Sequence, residues 1–428
     1  MKTIVNPERS EWPQLLKRPQ FDVSDLYEKV QAVLNDIRQS GDAALRKYTQ
    51  QFDGIDLEEF KVSDEEMSAV EKLVSPELKE AMQLASANIE KFHAAQKPEI
   101  KKTETMPGVT CWQKAVAIEK IGLYIPGGTA PLFSTVLMLA IPARIAGCKE
   151  IILCTPPGKD GQIHPAILYA AKISGAKNIF KLGGVQAIGA MAYGTESVPK
   201  VNKIFGPGNQ FVTAAKQLVS MNDVAIDIPA GPSEVMVVAD ESANPVFVAS
   251  DLLSQAEHGI DSQVVLLANS QMLVQEISAQ INIQLENLPR KEVAKKSLEN
   301  SLAIILRNRQ NTVDLINEYA PEHLILCTKD YPELAEKVVN AGSVFLGNFT
   351  PESAGDYASG TNHTLPTNGW AKTYSGVNLD SFMKKITFQE LTQEGLKKIG
   401  PSIEIMAATE KLEAHKNAVS LRLDEIKK

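Results

Sequence analysis

The sequence predicts an α/β protein built from two Rossmann-like, doubly wound α/β/α units. Short apolar runs of buried-strand length alternate with helical stretches from about Val116 onward. Glycine-rich turns stand where the first of these strands give way to helices. Such alternation implies right-handed βαβ units, with helices covering both faces of a parallel sheet.

Taken in order, the first hundred residues read as helices. Ser63 and Glu66 have capping-box spacing, Ser75 precedes a proline at the first helical position, and Gly41 and Gly54 mark stops. A first α/β series follows. Ile151–Cys154, Asn178–Lys181, Lys203–Phe205 and Val224–Ile226 are its expected strands, with helices over Pro165–Ser174, Val185–Tyr193 and Gln210–Val219. A second series has strands expected at Val235–Val238, Gln263–Ala268, Ala303–Leu306, Leu324–Cys327 and Ser343–Leu346. From Gly347 to about Asp380 little regular pattern remains, and this stretch is too rich in specific polar groups for a linker. Ser381–Lys428 reads as charged amphipathic helices around Gly395 and Pro401.

At 428 residues the chain is too long for one ordinary core. Its net charge of -8 argues against a nucleic-acid face, which needs clustered Lys and Arg. The first ten residues lack the apolar centre of a signal peptide, and the most apolar stretch, Thr135–Gly147, is broken by Pro142 and Arg144 before it reaches bilayer length. A cytoplasmic protein with small-molecule partners and no membrane contact is expected. Cys111, Cys148, Cys154 and Cys327 form no Cys-x-x-Cys pair, so each is expected to be a small buried hydrophobe.

Three features carry chemistry. Ser254–Asp261 places Gln255 and His258 three residues apart, on one face of an expected helix closed by Gly259; they could share a metal ion, or cap their own backbone. Pro321-Glu322-His323 precedes a strand. A turn there would let both side chains serve one pocket, with the imidazole as general base and the carboxylate activating water; a solvated strand entrance is the plain alternative. The turns at Tyr124–Gly128, Leu182–Gly184 and Phe205–Asn209 could seat a phosphate, although Phe211 stands where Gly-x-Gly-x-x-Gly needs its last glycine, and ordinary βα turns fit them equally. Asp356, His363, Glu410 and His415 are further polar candidates; His93 and His164 have no assigned role.

Several long strings now align together: Ile125-Pro-Gly-Gly with Leu137–Ala143, Phe205–Asn209, Pro229–Val235, Asp251–Gly259, Pro321–Leu324 and Ser353–Pro366. Over essentially its whole length the chain resembles the histidinol dehydrogenases. The N-terminal twenty residues and Gly158–Gln162 depart from the pattern and are expected to touch no proposed site.

The resemblance implies oxidation of L-histidinol to L-histidine through histidinal, with two NAD⁺ and one zinc ion per subunit, at the end of histidine biosynthesis. It implies Gln255, His258, Asp356 and His415 as metal ligands and Glu322 and His323 as the catalytic pair. Ser233, His363 and Glu410 join them around the substrate, and Tyr124, Gln186 and Asn209 line the NAD site. Two incomplete Rossmann-like domains are implied. Residues 1–21 form a small N-terminal segment, 22–123 with 233–377 carry the metal and catalytic residues, and 124–232 are inserted to contact NAD. The helical tail, 378–428, is swapped into the partner of a homodimer, bringing His415 with it. Manganese suits the same oxygen and imidazole donors. The competing chemistry is a zinc hydrolase in which Glu322 activates a metal-bound water.

Overall fold

The computed structural model describes residues 1–18, 24–127, 130–228 and 231–428. The expected boundary at residues 21 and 22, Gly128 of the Ile125 motif, and Pro229 and Ala230 lie outside the described residues. In chain order the strands are β1 (Lys2–Val5), β2 (Lys102–Met106), β3 (Val109–Ala117), β4 (Lys120–Tyr124), β5 (Glu150–Thr155), β6 (Asn178–Lys181), β7 (Lys203–Phe205), β8 (Ala225–Ile226), β9 (Glu234–Ala239), β10 (Gln263–Ala268), β11 (Leu302–Ile305), β12 (His323–Cys327), β13 (Ser343–Leu346) and β14 (Met383–Leu391). Residues 1–95 with 118–382 form one compact unit, and 96–117 with 383–428 a second.

The first unit holds two parallel sheets, in the orders β6-β5-β4-β7-β8 and β1-β11-β10-β9-β12-β13. This is the α/β architecture the alternation implies. Every strand expected in the two series forms, with its ends within one residue of the expected ones. Continuous burial explains why those runs are apolar throughout: both faces of β9 and β10 are covered.

On the first sheet, helices Ser24–Ser40 and Asp42–Asp53 share one core with Gly184–Tyr193, and helices Asp64–Leu73 and Pro76–Ala94 share the other with Phe133–Ala146. Their starts obey the expected caps: Ser63 Oγ and Glu66 form a reciprocal box, and Ser75 Oγ accepts from the Leu78 N–H. The central strand β4 escapes the pattern because Gly122 interrupts its apolar run; a Cβ there would lie 2.5 Å from Met191 Sδ. That glycine lets helix Gly184–Tyr193 lie close against the sheet.

Several expectations need correction. The N-terminal stretch is not all helix, since β1 pairs with β11 at a sheet edge. Gly347–Asp380 contains a helix, Glu352–Tyr357. The stretch after Ser381 begins with β14, which pairs antiparallel with β3 in the second unit's sheet, β14-β3-β2. Gly395 and Pro401 lie inside helix Gln393–Thr409 rather than interrupting it. Gly395 belongs there because a Cβ would meet the Gly108 carbonyl at 2.1 Å. Within this unit that helix packs on Glu413–Lys427. Cys154 and Cys327 are buried as expected, but Cys111 and Cys148 are only half-buried. Among the described residues no helix is long and apolar enough to cross a membrane.

Candidate active site and cofactor cavity

A left-handed residue builds the centre of the site. Helix Arg309–Tyr319 ends on Ala320, at φ 53°, and Pro321 prevents the helix from continuing, so the chain turns sharply into β12. Glu322 and His323 therefore stand together at the strand's amino end, 5% and 4% exposed. Both are held by the backbone of Glu234. Its N–H donates to Glu322 Oε2 at 2.9 Å, and its carbonyl accepts from His323 Nδ1 at 3.3 Å. With Nδ1 as donor, the neutral imidazole keeps its lone pair on Nε2. That atom faces Asp356 Oδ1 at 3.5 Å, an ion-pair distance without a hydrogen bond.

The short helix Glu352–Tyr357 brings two carboxyls to the same side, since Glu352 and Asp356 are one turn apart. One donor atom from each of His323, Glu352 and Asp356 falls within 4.8 Å of the others. Glu352 is 1% exposed, and neither of its oxygens has a partner among the described residues. Burial, outweighing the nearby His323 imidazole, pushes its carboxyl up to about 8. Burial alone would lower the His323 pKa; the charges of Glu322 and Glu352 and the side chain of Asp356 raise it well above the usual imidazole range instead. Sequence reasoning passed over Glu352. Its signal was the Glu-x-x-x-Asp spacing, which means something only once Pro351–Tyr357 is recognised as helical.

Helix Pro245–Ala256 packs against this short helix and supplies Asp251 and Gln255. Burial raises Asp251 to about 7. Gln255 is fully buried, and neither its Oε1 nor its Nε2 has a partner among the described residues. The helix ends at Ala256, so His258 lies in the turn beyond it, bonded through its N–H to the Gln255 carbonyl, and Gly259 is not the expected left-handed cap. His258 Nδ1 contacts the Ser254 carbonyl at 2.9 Å, leaving Nε2 as its free ligand atom. Its charge is sensed by Asp356, whose pKa is lowered by the His323 side chain and the neighbouring imidazoles of His363 and His258, against the effect of burial. His363 joins through Nδ1, 3.0 Å from the Asp356 carbonyl, while its Nε2 reaches Thr135 Oγ1 at 3.3 Å. Ser233 is half-buried beside Glu234. Glu410 and His415 lie in the second unit, both exposed, at the end of one tail helix and the start of the next.

A buried amide with no partner costs about 1–3 kcal/mol, so Gln255 is best explained by a ligand that supplies one. A neutral amide oxygen, an imidazole nitrogen turned outward and a carboxylate are also donors that zinc accepts. The residues present thus fit the implied metal. Glu352 extends the donor set beyond the expected ligands, and His323 is a weaker candidate because its neighbours keep it protonated.

The expected cofactor residues meet in a separate cavity of about 1550 Å³ lined by Tyr124, Gln186 and Asn209. The Tyr124 hydroxyl accepts from the Gly184 N–H at 3.1 Å and, raised to about 12 by burial, keeps its own proton for donation. Gln186 Nε2 donates to Asp53 Oδ2 at 3.0 Å, and its Oε1 has no partner among the described residues. Asn209 spends its carbonyl capping the helix that follows, accepting from the N–H groups of Phe211 and Val212. Gly158, Lys159, Asp160 and Gln162 also line this cavity. The departing loop therefore does touch a proposed site. The N-terminal segment reaches only a neighbour of the site: the Arg18 guanidinium grips the carboxylate of Glu234, whose backbone holds Glu322 and His323.

The family profile described as histidinol dehydrogenase matches residues 16–423. Histidinol dehydrogenase of Bacteroides thetaiotaomicron is 64% identical over 427 residues, covering 100% of both chains. That of Escherichia coli is 52% identical over 417 residues, covering 97% of this chain and 95% of the relative. The crystal structure of histidinol dehydrogenase from Elizabethkingia anophelis is 56% identical and superposes with a TM-score of 0.98, covering 100% of this chain and 99% of that one. The chain belongs to the histidinol dehydrogenase family.

Proposed function

We propose that the protein oxidises L-histidinol to L-histidine through histidinal, consuming two NAD⁺, as the last step of histidine biosynthesis in the cytoplasm. The observation that carries this reading is the pair at the start of β12: an imidazole whose Nδ1 is fixed and a carboxylate beside it, both buried against acceptors for a cation. Gln255, His258 and Asp356, with the partner's copy of His415, would hold zinc, which would anchor a substrate bearing an imidazole and an amine. NAD⁺ bound along Tyr124, Gln186 and Asn209 would accept the hydride from carbon.

His323 Nε2 receives the hydroxyl proton as the alcohol becomes an aldehyde. In the free site its neighbouring carboxylates hold a proton on that nitrogen. A cationic group seated against Asp356 and Glu352 cancels this field and frees the lone pair. Glu322, oriented by the Glu234 N–H, activates the water that adds to the aldehyde, giving the hydrate that loses the second hydride. Glu352 offers acceptors to the substrate's amino group, and His363 and Ser233 flank it. Burial around these groups keeps the aldehyde from exchanging with solvent between steps.

We further propose a homodimer in which the tail, residues 378–428, delivers Glu410 and His415 to the partner. Their exposure on the second unit supports it. The test is stoichiometric: purified protein given zinc, histidinol and NAD⁺ yields two NADH per histidine. One NADH, or activity that survives chelation, overturns the reading. Mixing inactive His323→Ala and His415→Ala chains restores part of the activity if the tail is exchanged, and none if each chain completes its own site.

A further inference from the structure

We infer that Arg18 is a positioning residue for the acid–base pair, acting through Glu234. The inference rests on the roles given to Glu322 and His323 above. Glu234 occupies the first position of β9, and its backbone alone supplies both the donor to Glu322 and the acceptor for His323 Nδ1. Whatever fixes that one peptide segment fixes two reacting groups at once.

The side chain of Glu234 lies on the sheet face that also carries Met236 and Val238, where the core includes Trp12, Leu16, Leu315 and Tyr319. A carboxylate that is 1% exposed there cannot stay ionised alone. Arg18 answers it with Nε and Nη2, the latter 3.1 Å from Oε1, and is itself anchored: Nη2 donates to the Tyr319 carbonyl at 2.7 Å, and the guanidinium lies 4.0 Å from the centre of the Tyr319 ring. Tyr319 is in turn tied through its hydroxyl to Gln263 of β10, at 2.9 Å. It closes the helix whose turn presents Glu322 and His323. The clamp therefore joins the N-terminal segment, the start of β9 and the root of the catalytic turn. Without Arg18, Glu234 would take up a proton or turn toward water; either way the fork that fixes the start of β9 is gone, and the N–H and carbonyl that aim Glu322 and His323 are no longer held.

The test compares Arg18→Met, Arg18→Lys and the double variant Arg18→Met/Glu234→Met with the wild type, by steady-state kinetics with histidinol and NAD⁺, bound-metal analysis and thermal melting. Arg18→Met is expected to lower kcat on the order of 10- to 100-fold, with both KM values within about threefold and metal content unchanged, because a misaimed base slows chemistry without emptying the site. Arg18→Lys keeps the charge but not the fork and should fall between. The double variant removes the stranded carboxylate and should recover most of both the melting temperature and kcat. A wild-type kcat in folded Arg18→Met, a loss confined to KM, or a double variant that recovers melting but not kcat overturns the inference. If Arg18→Met does not fold, the double variant and Arg18→Lys decide the matter by the same criteria. Absence of histidinol oxidation by the wild type would instead overturn the proposed function, and this inference with it.

Discussion

Replacing Lys216 with methionine separates stability from cofactor binding in a way the structure lets one size. Its ammonium is buried against Asp227, the two side chains being 5% and 2% exposed, and donates to the Gly206 carbonyl at 2.8 Å. Asp227 in turn accepts from the Gly206 N–H at 2.7 Å. The pair thus grips both backbone polar groups of Gly206, and the loop that runs on to Asn209 leaves from there. Removing one partner of a buried ion pair costs about 3–5 kcal/mol, of which the surviving Gly206 N–H bond, charge-assisted, offsets about 1–2. A net loss of about 1–4 kcal/mol in urea-induced unfolding is expected. Ordering the loosened loop again on binding should cost about 1–2 kcal/mol, or roughly 5- to 30-fold in the Kd for NAD⁺, taking one or two side chains immobilised. Isothermal titration with NAD⁺ at a temperature well below the melt reads the second number independently of the first. Lost stability with a Kd within twofold of the wild type would refute the claim that this pair sets the cofactor loop.

Gly206→Ala should weaken NAD⁺ binding at least as much, because φ is 121° and the new Cβ would sit 2.0 Å from the Tyr124 carbonyl; the same titration checks it. Glu352→Gln should lose at least tenfold in histidinol affinity yet retain metal, and a substrate analogue lacking the amine should bind wild type and variant alike. Because the folded-state pKa of Glu352 is raised, its contribution to stability is full below about 4.5 and lost as pH rises toward about 8. Metal-free Glu352→Gln should therefore withstand more urea than the wild type at pH 8 but not at pH 5. His93 is fully buried, with Nδ1 on the Ile89 carbonyl and Nε2 unpartnered, and burial lowers its pKa. Its contribution is present above the ordinary value of about 6.5 and lost as pH falls. His93→Gln should flatten the loss of stability below that pH, measured by urea midpoints at pH 5.5 and 7.5. Metal analysis should find His323→Ala still loaded and His258→Ala depleted; the reverse would exchange their assigned roles.

Strands β5, β6, β7, β9, β10, β11 and β12 were legible because each is buried on two faces over almost its whole length, and double burial writes an apolar run. β14 was not, because its residues are almost all exposed and its apolar positions, Ile386 and Phe388, are diluted by lysine, threonine and glutamine. The helix Glu352–Tyr357 was hidden for a different reason: it is 6 residues long with Gly355 inside, too short for a periodic signal and carrying a helix breaker. That glycine is demanded by packing, since a Cβ would lie 2.8 Å from the Phe345 ring. Local pattern therefore missed the element that sets Glu352 and Asp356 side by side. Resemblance could point to Asp356 by motif, but it said nothing of Glu352 or of Arg18, whose partner is 216 residues away. A contact at that separation leaves no local pattern to read.

The two sheets put their chemistry on opposite edges, and electrostatics explains the choice. In the first sheet Tyr124 ends β4, Gly184 and Gln186 follow β6, and Asn209 follows β7. These are carboxyl ends, where the helices Gly184–Tyr193 and Gln210–Ser220 present their amino termini to the cavity, and an amino terminus favours a diphosphate. In the second sheet Glu234 and His323 open β9 and β12, so the proposed reacting groups stand at amino ends. The connecting helix Pro245–Ala256 runs back to that edge and arrives carboxyl end first, with Gln255 in its last turn. Its unpaired carbonyls add negative potential to that of Asp356 and Glu352, which suits a cation and a substrate amine. Placing the proposed catalytic pair at the carboxyl edge, where α/β sheets usually bind ligands, would have set it among helix amino termini, which oppose a cation. The departure of the second sheet from that habit is what the proposed cationic ligand would require.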